Sequence, residues 1–339
     1  MKRAGKLVEE ITDADNLRLA FWKASRGKQT KIEVRRFRDD LTSELRELRE
    51  KLLDGSITWG PYYTFTVQDP KKRTICAAPL ANRVAHHAII NVVEPVFESY
   101  QIHDSYACRK RKGLDGALQR AARFSRDGGW FLKLDVRKYF DSIHHQTLRA
   151  LLRRRFKDVA VLRLFDGVID SYQTMPGQGV PIGNLTSQYF ANHYLAILDH
   201  HLKEELRCTR YLRYMDDFVV WDKNKSWLKQ VCRDIEAFLR DRLQLELKTP
   251  CLNSCERGMT FLGYRIYRNH FRLSRRSRKR FCRKLRRYHE KWRNGSWSEE
   301  ETARHVEPLL SFVRRADSFG LRQRLLMDMG LCPQQARTA

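Results

Sequence analysis

The chain has 339 residues, 42% of them apolar and 11% aromatic, which excludes a disordered protein and leaves room for two or three subdomains with real cores. Lys and Arg number 66 against 40 Asp and Glu, a net charge of +26 and a pI near 10.0, so a polyanionic partner is implied, most simply nucleic acid held in a salt-sensitive way. No uncharged stretch approaches the ~20 residues of a membrane span, and the N-terminal MKRAGKLVEEITDADN has no apolar run after its basic residues, so neither a span nor a secretory signal is expected.

Residues 1–55 have helical, polar patterning. A basic stretch from Arg26 to Arg38 precedes LTSELRELREKLLDG, a helix closed by Gly55. The text then changes to WGPYYTFTVQDPKKRTICAAP, residues 59–79, with short β-type runs around a turn-like DPKK. NRVAHHAIINVVEPVFE returns to helical period and is expected to end near Glu94-Pro95. FLKLDVRKYF, residues 131–140, is a strand leading into a turn, and HHQTLRALLRRRF is the helix after it. GQGVPIGNLTSQ is a Gly-rich loop feeding the helix YFANHYLAILDHHLKEEL, and LRYMDDFVVW, residues 212–221, has the pattern of a hairpin. The helix SWLKQVCRDIEAFLRDRL and short strands at LELK and TFLGYRIY complete the central part.

Eight cysteines scattered without a framework suit a reducing cytoplasm. Cys251 and Cys255 form a C-x3-C, but no second ligand pair lies at zinc-site spacing, so free thiols are expected. Residues 265–339 hold 20 Lys/Arg against 7 Asp/Glu, half of the net positive excess. Within them, RLSRRSRKRFCRKLRRYHEKWR has 12 basic residues and one acid, the pattern of a phosphate-tracking helix. Trp292 and Trp297 in that region could stack on bases or pack in a core.

The chemistry is carried by acids in apolar surroundings. Asp216 and Asp217 sit together between LRY and FVVW, and Asp135 ends the apolar run FLKLD. Carboxylates are costly to leave unpaired there, and neighbours repel. If the two strands lie side by side, the three acids converge and need divalent cations to offset their charge. A pair of Mg²⁺ ions so held is suited to in-line phosphoryl transfer.

YMDD with LDVRKYF upstream resembles the palm motifs of reverse transcriptases, over roughly residues 60–330. The resemblance implies an α+β right-hand polymerase fold, with fingers, a palm of antiparallel sheet packed on helices, and a short helical thumb. The expected boundaries are a helical extension at 1–58, fingers at 59–125 and 145–185, palm at 126–144 and 186–264, and a basic thumb at 265–339. Asp135, Asp216 and Asp217 would bind two Mg²⁺ (or Mn²⁺), with Val136 giving a carbonyl ligand. Lys248 in LELKT matches a lysine proposed to protonate the leaving pyrophosphate, although a solvated lysine fits the same pattern. Lys71 and Arg73 match fingers residues that grip the incoming triphosphate. Phe140, five residues after the first aspartate, would select deoxynucleotides by colliding with a ribose 2′-hydroxyl. Arg109 in DSYACRKRKG, Tyr214 and Met215, and the primer-grip-like Leu262, Gly263 and Tyr264 are implied to contact template or primer.

The loop Ile182-Gly183-Asn184-Leu185-Thr186-Ser187-Gln188 departs from the usual Gln-Gly-x3-Ser-Pro: Ile182 replaces glutamine and Gln188 replaces proline. This form is similar to the reverse transcriptases of diversity-generating retroelements, which copy a template RNA into cDNA and misincorporate opposite adenine. DSYACRKRKG and SFGLRQRLL point the same way. Ile can only pack where Gln can hydrogen-bond, so part of the discrimination between right and wrong pairs would be lost; a neutral apolar swap is the other reading of Ile182. The likeness implies dNTP substrates, a structured template RNA and RNA/cDNA duplex, and a small basic helical partner, the pentameric accessory variability determinant. It also implies a bacterial or phage-encoded cytoplasmic enzyme. Two other readings stay open: another bacterial reverse transcriptase, retron-like or defensive, and a non-catalytic RNA-binding or splicing-assisting protein of the same fold.

Overall fold

The computed structural model describes residues 3–68 and 72–331. Its N-terminal quarter is helical: α1 (Val8–Ile11), α2 (Ala14–Ser25), α3 (Ile32–Asp39) and α4 (Leu41–Asp54). Asp13 caps α2 by accepting from the amides of Asp15 and Asn16, and Gly55 ends α4 at φ 79°, the left-handed conformation the sequence led one to expect. The leucines Leu45, Leu48 and Leu52 are buried along one face of α4.

A two-stranded hairpin follows, β1 (Tyr63–Gln68) and β2 (Lys72–Ala77), with every residue of β1 exposed. The tip, including most of DPKK, lies outside the described residues. Then comes α5 (Leu80–Glu98), which runs past Glu94-Pro95 where it was expected to stop. Pro95 removes one amide from the helix ladder and costs up to ~3 kcal/mol, but Phe97, two residues on, is buried and its ring meets Phe156, Phe165 and Phe190. Burying a Phe gains roughly 1.5–3 kcal/mol, enough to carry the helix on.

After α6 (Gly113–Arg126) the central sheet begins with β3 (Trp130–Asp135), followed by α7 (His145–Arg153), α8 (Val159–Asp170) and α9 (Leu185–His200). The expected hairpin forms from β4 (Tyr211–Tyr214) and β5 (Asp217–Asp222), and α10 (Lys225–Phe238) packs behind it. β6 is Cys251–Ser254, so the fourth strand is CLNS rather than LELK. LELK runs alongside the end of β3 with a single bridge between Leu247 and Val136, because β3 turns away into the 3-10 turn Tyr139–Ser142.

The strand order is β4-β5-β3-β6, all antiparallel. Alternation along the strands splits the core in two. Leu132, Leu134, Phe218 and Val220 join the large helical cluster with α5, α7, α9 and α10. Phe131, Leu212, Val219 and Trp221 face a second cluster with α6 and a small sheet of β7 (Met259–Phe261), β8 (Tyr264–Ile266) and β9 (Phe271–Leu273).

Three helices close the described chain: α11 (Arg275–Arg293), α12 (Glu299–Arg314) and α13 (Phe319–Asp328), around Phe281, Leu285, Val313 and Leu325. Trp297 packs inside this unit, stacked on His305 at 4.4 Å, whereas Trp292 is 38% exposed. The architecture is α+β, as expected. Among the described residues, no helix is long and apolar enough to cross a membrane.

Candidate active site

Pairing fixes the acids first. Asp135 is the cross-strand partner of Asp217, and Tyr214 is the partner of Asp217 on the other side, so Met215 and Asp216 form a two-residue turn. Met215 stands at φ 57°, a conformation most non-glycine residues avoid, and such strain persists only where the surroundings impose it. Here they do. Arg213 Nη1 donates to the Met215 carbonyl at 3.2 Å, and the Val136 amide donates to the Asp216 carbonyl at 3.2 Å.

The three carboxylates are thus delivered to one end of the sheet, where burial penalises their charge. It pushes Asp217 up to about 7, with Lys133 opposing and Asp135 and Asp216 adding to the rise. Asp216 is raised chiefly by burial and then by Asp135, while Lys248 and Arg73 pull it down. Lys133 lies 3.3 Å from Asp217 Oδ2, and Lys248 Nζ donates to Asp135. The Lys248 amide also donates to the Asp135 carbonyl at 2.8 Å, which fixes LELK beside the acids.

Buried Asp217 Oδ1 has no hydrogen-bond partner. Among the described residues, no three His, Cys, Asp or Glu side chains are gathered into a ready-made metal site, and lysines pair with two of the three acids. The donor set itself, hard carboxylate oxygens with one left bare, fits a hard divalent cation, which would take the place of those lysines.

The other residues expected at the site come from distant segments. Arg73 is exposed on β2, and its charge reaches Asp216. Half-buried Phe140 follows Tyr139, and its carbonyl accepts from the Val180 amide at 2.9 Å. The Ile182 carbonyl accepts from the Cys76 amide at 2.7 Å, so the loop is stitched to β2. Gly183 sits at φ +129°, and a Cβ there would lie 2.6 Å from the Cys76 carbonyl oxygen. Gly183→Ala should therefore shift the loop at a cost of about 1–3 kcal/mol, read as a lower Tm. Gln188 lies half-buried in the first turn of α9.

Several candidates stand elsewhere. Arg109 is tied to Glu98 (2.6 Å) and to the carbonyls of Ile102 and Ser105 (both 2.6 Å), a clamp between α5 and the loop after it. Leu262 and Gly263 make the β7–β8 turn at φ 49° and 91°. Tyr264 is buried, donates to the Phe312 carbonyl at 2.7 Å, and so fastens that sheet to α12. Half-buried Tyr214, by contrast, ends β4 opposite Asp217, beside the acids. Lys71 lies outside the described residues.

Sequence reasoning missed the support beneath the turn. Arg213 and Asp199 are both fully buried, with Arg213 Nη2 2.6 Å from Asp199 Oδ2. Tyr211 also donates to Asp199 at 2.6 Å, and Arg213 donates to Asn192 Oδ1 at 3.1 Å. A signal existed: an arginine inside an apolar strand and an acid in the apolar helix YFANHYLAILDHH require each other.

An antiparallel sheet that carries three acids to one end, beside a basic hairpin, is the palm of a nucleotidyl-transferring polymerase. The chain belongs to the family described as Reverse transcriptase (RNA-dependent DNA polymerase), which matches residues 68–266, more than half of its length. It is accordingly an RNA-directed DNA polymerase by class. Protein YkfC of Escherichia coli (strain K12) is 27% identical over 284 residues, 68% of this chain and 73% of YkfC. The Group II intron-encoded protein LtrA of Lactococcus lactis subsp. cremoris is 23% identical over 310 residues, 67% of this chain and 51% of LtrA, so the chain spans about half of that relative. A solved apo telomerase from Candida tropicalis, truncated from its C-terminal domain, has a TM-score of 0.50 at 16% identity, covering 65% of this chain and 55% of that one. The likeness supports the right-hand fold alone.

Proposed function

We propose that the protein copies a structured template RNA into cDNA for a diversity-generating retroelement, with misincorporation opposite adenine. The observation that carries the polymerase chemistry is the pairing of Asp135 with Asp217 beside Asp216, with a bare buried oxygen on Asp217. Asp135, Asp216, Asp217 and the Val136 carbonyl would hold two Mg²⁺, or Mn²⁺ in their place, and the metal would supply charge stabilisation to the transferring phosphoryl group. Lys248, which donates to Asp135 in the metal-free site, would be freed by a bound metal and would protonate the leaving pyrophosphate. Arg73 would grip the triphosphate of a dNTP, assisted by Lys71, and Phe140 would exclude ribonucleotides. Ile182, Gly183 and Gln188 would bound the nascent pair. In this reading the fingers are 59–125 and 145–185, the palm 126–144 and 186–264, and the thumb 265–339, with the bounds at 125, 185 and 264 falling inside α6, α9 and β8. The basic α11 would track the RNA/cDNA duplex, and a small basic helical accessory protein would share the template RNA.

The retroelement reading rests on the loop Ile182–Gln188, whose first residue offers no side-chain hydrogen bond. A second reading, an intron-type reverse transcriptase, is favoured by the similarity to LtrA. Primer extension with Mg²⁺, template RNA and accessory protein tests the chemistry: incorporation no greater than that of Asp216→Ala would sink it. Sequencing the product of an adenine-rich template separates the two readings, because faithful copying of adenine favours the second. Ile182→Gln should lower errors at adenine, and an unchanged error spectrum would remove Ile182 from the account.

A further inference from the structure

The loop over the proposed nucleotide site is held by a chain of side-chain hydrogen bonds whose direction is fixed. Asn184, 3% exposed, donates from Nδ2 to the Tyr62 hydroxyl at 3.1 Å. The Tyr62 hydroxyl lies 2.6 Å from Ser171 Oγ, and Ser171 Oγ donates to the Val168 carbonyl at 2.7 Å. A serine has one hydrogen to give, and Val168 takes it, so Tyr62 must donate to Ser171 and accept from Asn184. Both hydroxyl hydrogens are used, and the chain ends on the backbone of α8.

The three residues come from different places: Tyr62 from the foot of the β1–β2 hairpin, Asn184 from the loop, Ser171 from the end of α8. The hairpin foot is itself anchored, since the Gly60 amide donates to Asn82 Oδ1 at 2.9 Å and Asn82 Nδ2 donates to the Thr58 carbonyl at 3.0 Å. With the Ile182–Cys76 backbone bond and the close approach at Gly183, two attachments bracket residues 182–184, one on β2 and one at its foot. None of these three polar side chains belongs to the acid cluster. Buried polar groups tied in a complete chain rigidify what they join, and a partly broken chain is worse than none.

We propose that Tyr62 is a positioning residue for nucleotide selection: through Asn184 and Ser171 it sets where the 182–184 loop stands over the nascent base pair. This rests on the reading of that loop as a wall of the nucleotide site. Tyr62→Phe removes the acceptor for Asn184 and leaves that amide buried without a partner. The KM for dNTP should rise about tenfold, the scale of one buried hydrogen bond lost, with kcat at saturating dNTP nearly unchanged and the error spectrum altered.

A role in folding alone would move only the Tm. Tyr62→Phe with Asn184→Leu separates the two, because replacing both partners by apolar groups restores stability without restoring the bond. The proposal expects this double variant to recover wild-type Tm while keeping the raised KM and altered errors. Wild-type KM and wild-type errors in the double variant would overturn it. Failure of the underlying reading looks different: the unmodified protein, with template RNA and accessory protein, would then show no incorporation dependent on Asp216.

Discussion

Asp217→Asn should abolish DNA synthesis and, at neutral pH without metal, make the fold more stable. The loss of turnover is expected to be at least about a thousandfold, the scale seen when a group serving charge in the transition state is removed. The gain in stability follows from the raised carboxyl, which titrates near 7 in the fold and near 3.8 when exposed. Below about pH 4 it is protonated in both states and contributes no difference. Between about 4 and 7 the folded state holds a proton that the unfolded chain releases, so stability falls as pH rises. Above 7 the full penalty of a buried carboxylate is present. Asparagine has no such titration and still offers an oxygen to Lys133. The Tm advantage of Asp217→Asn over the unmodified protein should therefore grow from pH 4 to pH 7 and level off above. Mg²⁺ should raise the Tm of the unmodified protein more at pH 8 than at pH 5, and raise that of the variant little. A metal-free Tm difference that does not change with pH would show that Asp217 is ionised in the fold and that the cluster needs no cation to settle it.

The sequence exposed this site because its chemistry is local. YMDD and LKLDV each place an acid at the end of an apolar run, and the alternation of Leu132, Leu134, Phe218 and Val220 then leaves little choice of register. The Gly-rich loop was legible for the same reason, with Gly183 marking where the backbone approaches β2. What stayed hidden depends on contacts between distant segments. CLNS has too little pattern to announce a strand, and it becomes one because the free edge of β3 is open to it. LELK has the better strand composition, yet it meets β3 only at that strand's last residue, Asp135, and makes a single bridge just beyond, at Val136. Arg109 shows the limit of reasoning by residue type: a guanidinium in a basic loop suggests phosphate, but Glu98 and two carbonyls occupy it. The Tyr62–Asn184–Ser171 chain spans more than a hundred residues of sequence, and nothing in any one segment names its partners.

Arg213→Met should be among the most destabilising single substitutions in the protein. Its guanidinium makes bonds of 2.6 to 3.2 Å to Asp199, Asn192, Gln101 and the Met215 carbonyl, with neither Arg213 nor Asp199 reaching solvent. Removing one partner of a buried pair leaves the other charge stranded, at a cost of about 3–5 kcal/mol. Tyr211 stays a neutral donor to Asp199, since burial and the carboxylate both push its phenol up, so it can soften that loss without neutralising the acid. Arg213→Met with Asp199→Leu should recover much of the Tm, because an apolar pair of matching volume can replace a buried ion pair. It should not recover DNA synthesis. The Met215 carbonyl would still lack its donor, the φ 57° turn would be free to relax, and Asp216 would leave its place beside Asp135. Thermal unfolding and primer extension on the single and double variants read the two effects separately. Full turnover in a refolded double variant would mean that the turn holds its strained conformation without Arg213, and that the arginine serves the core alone.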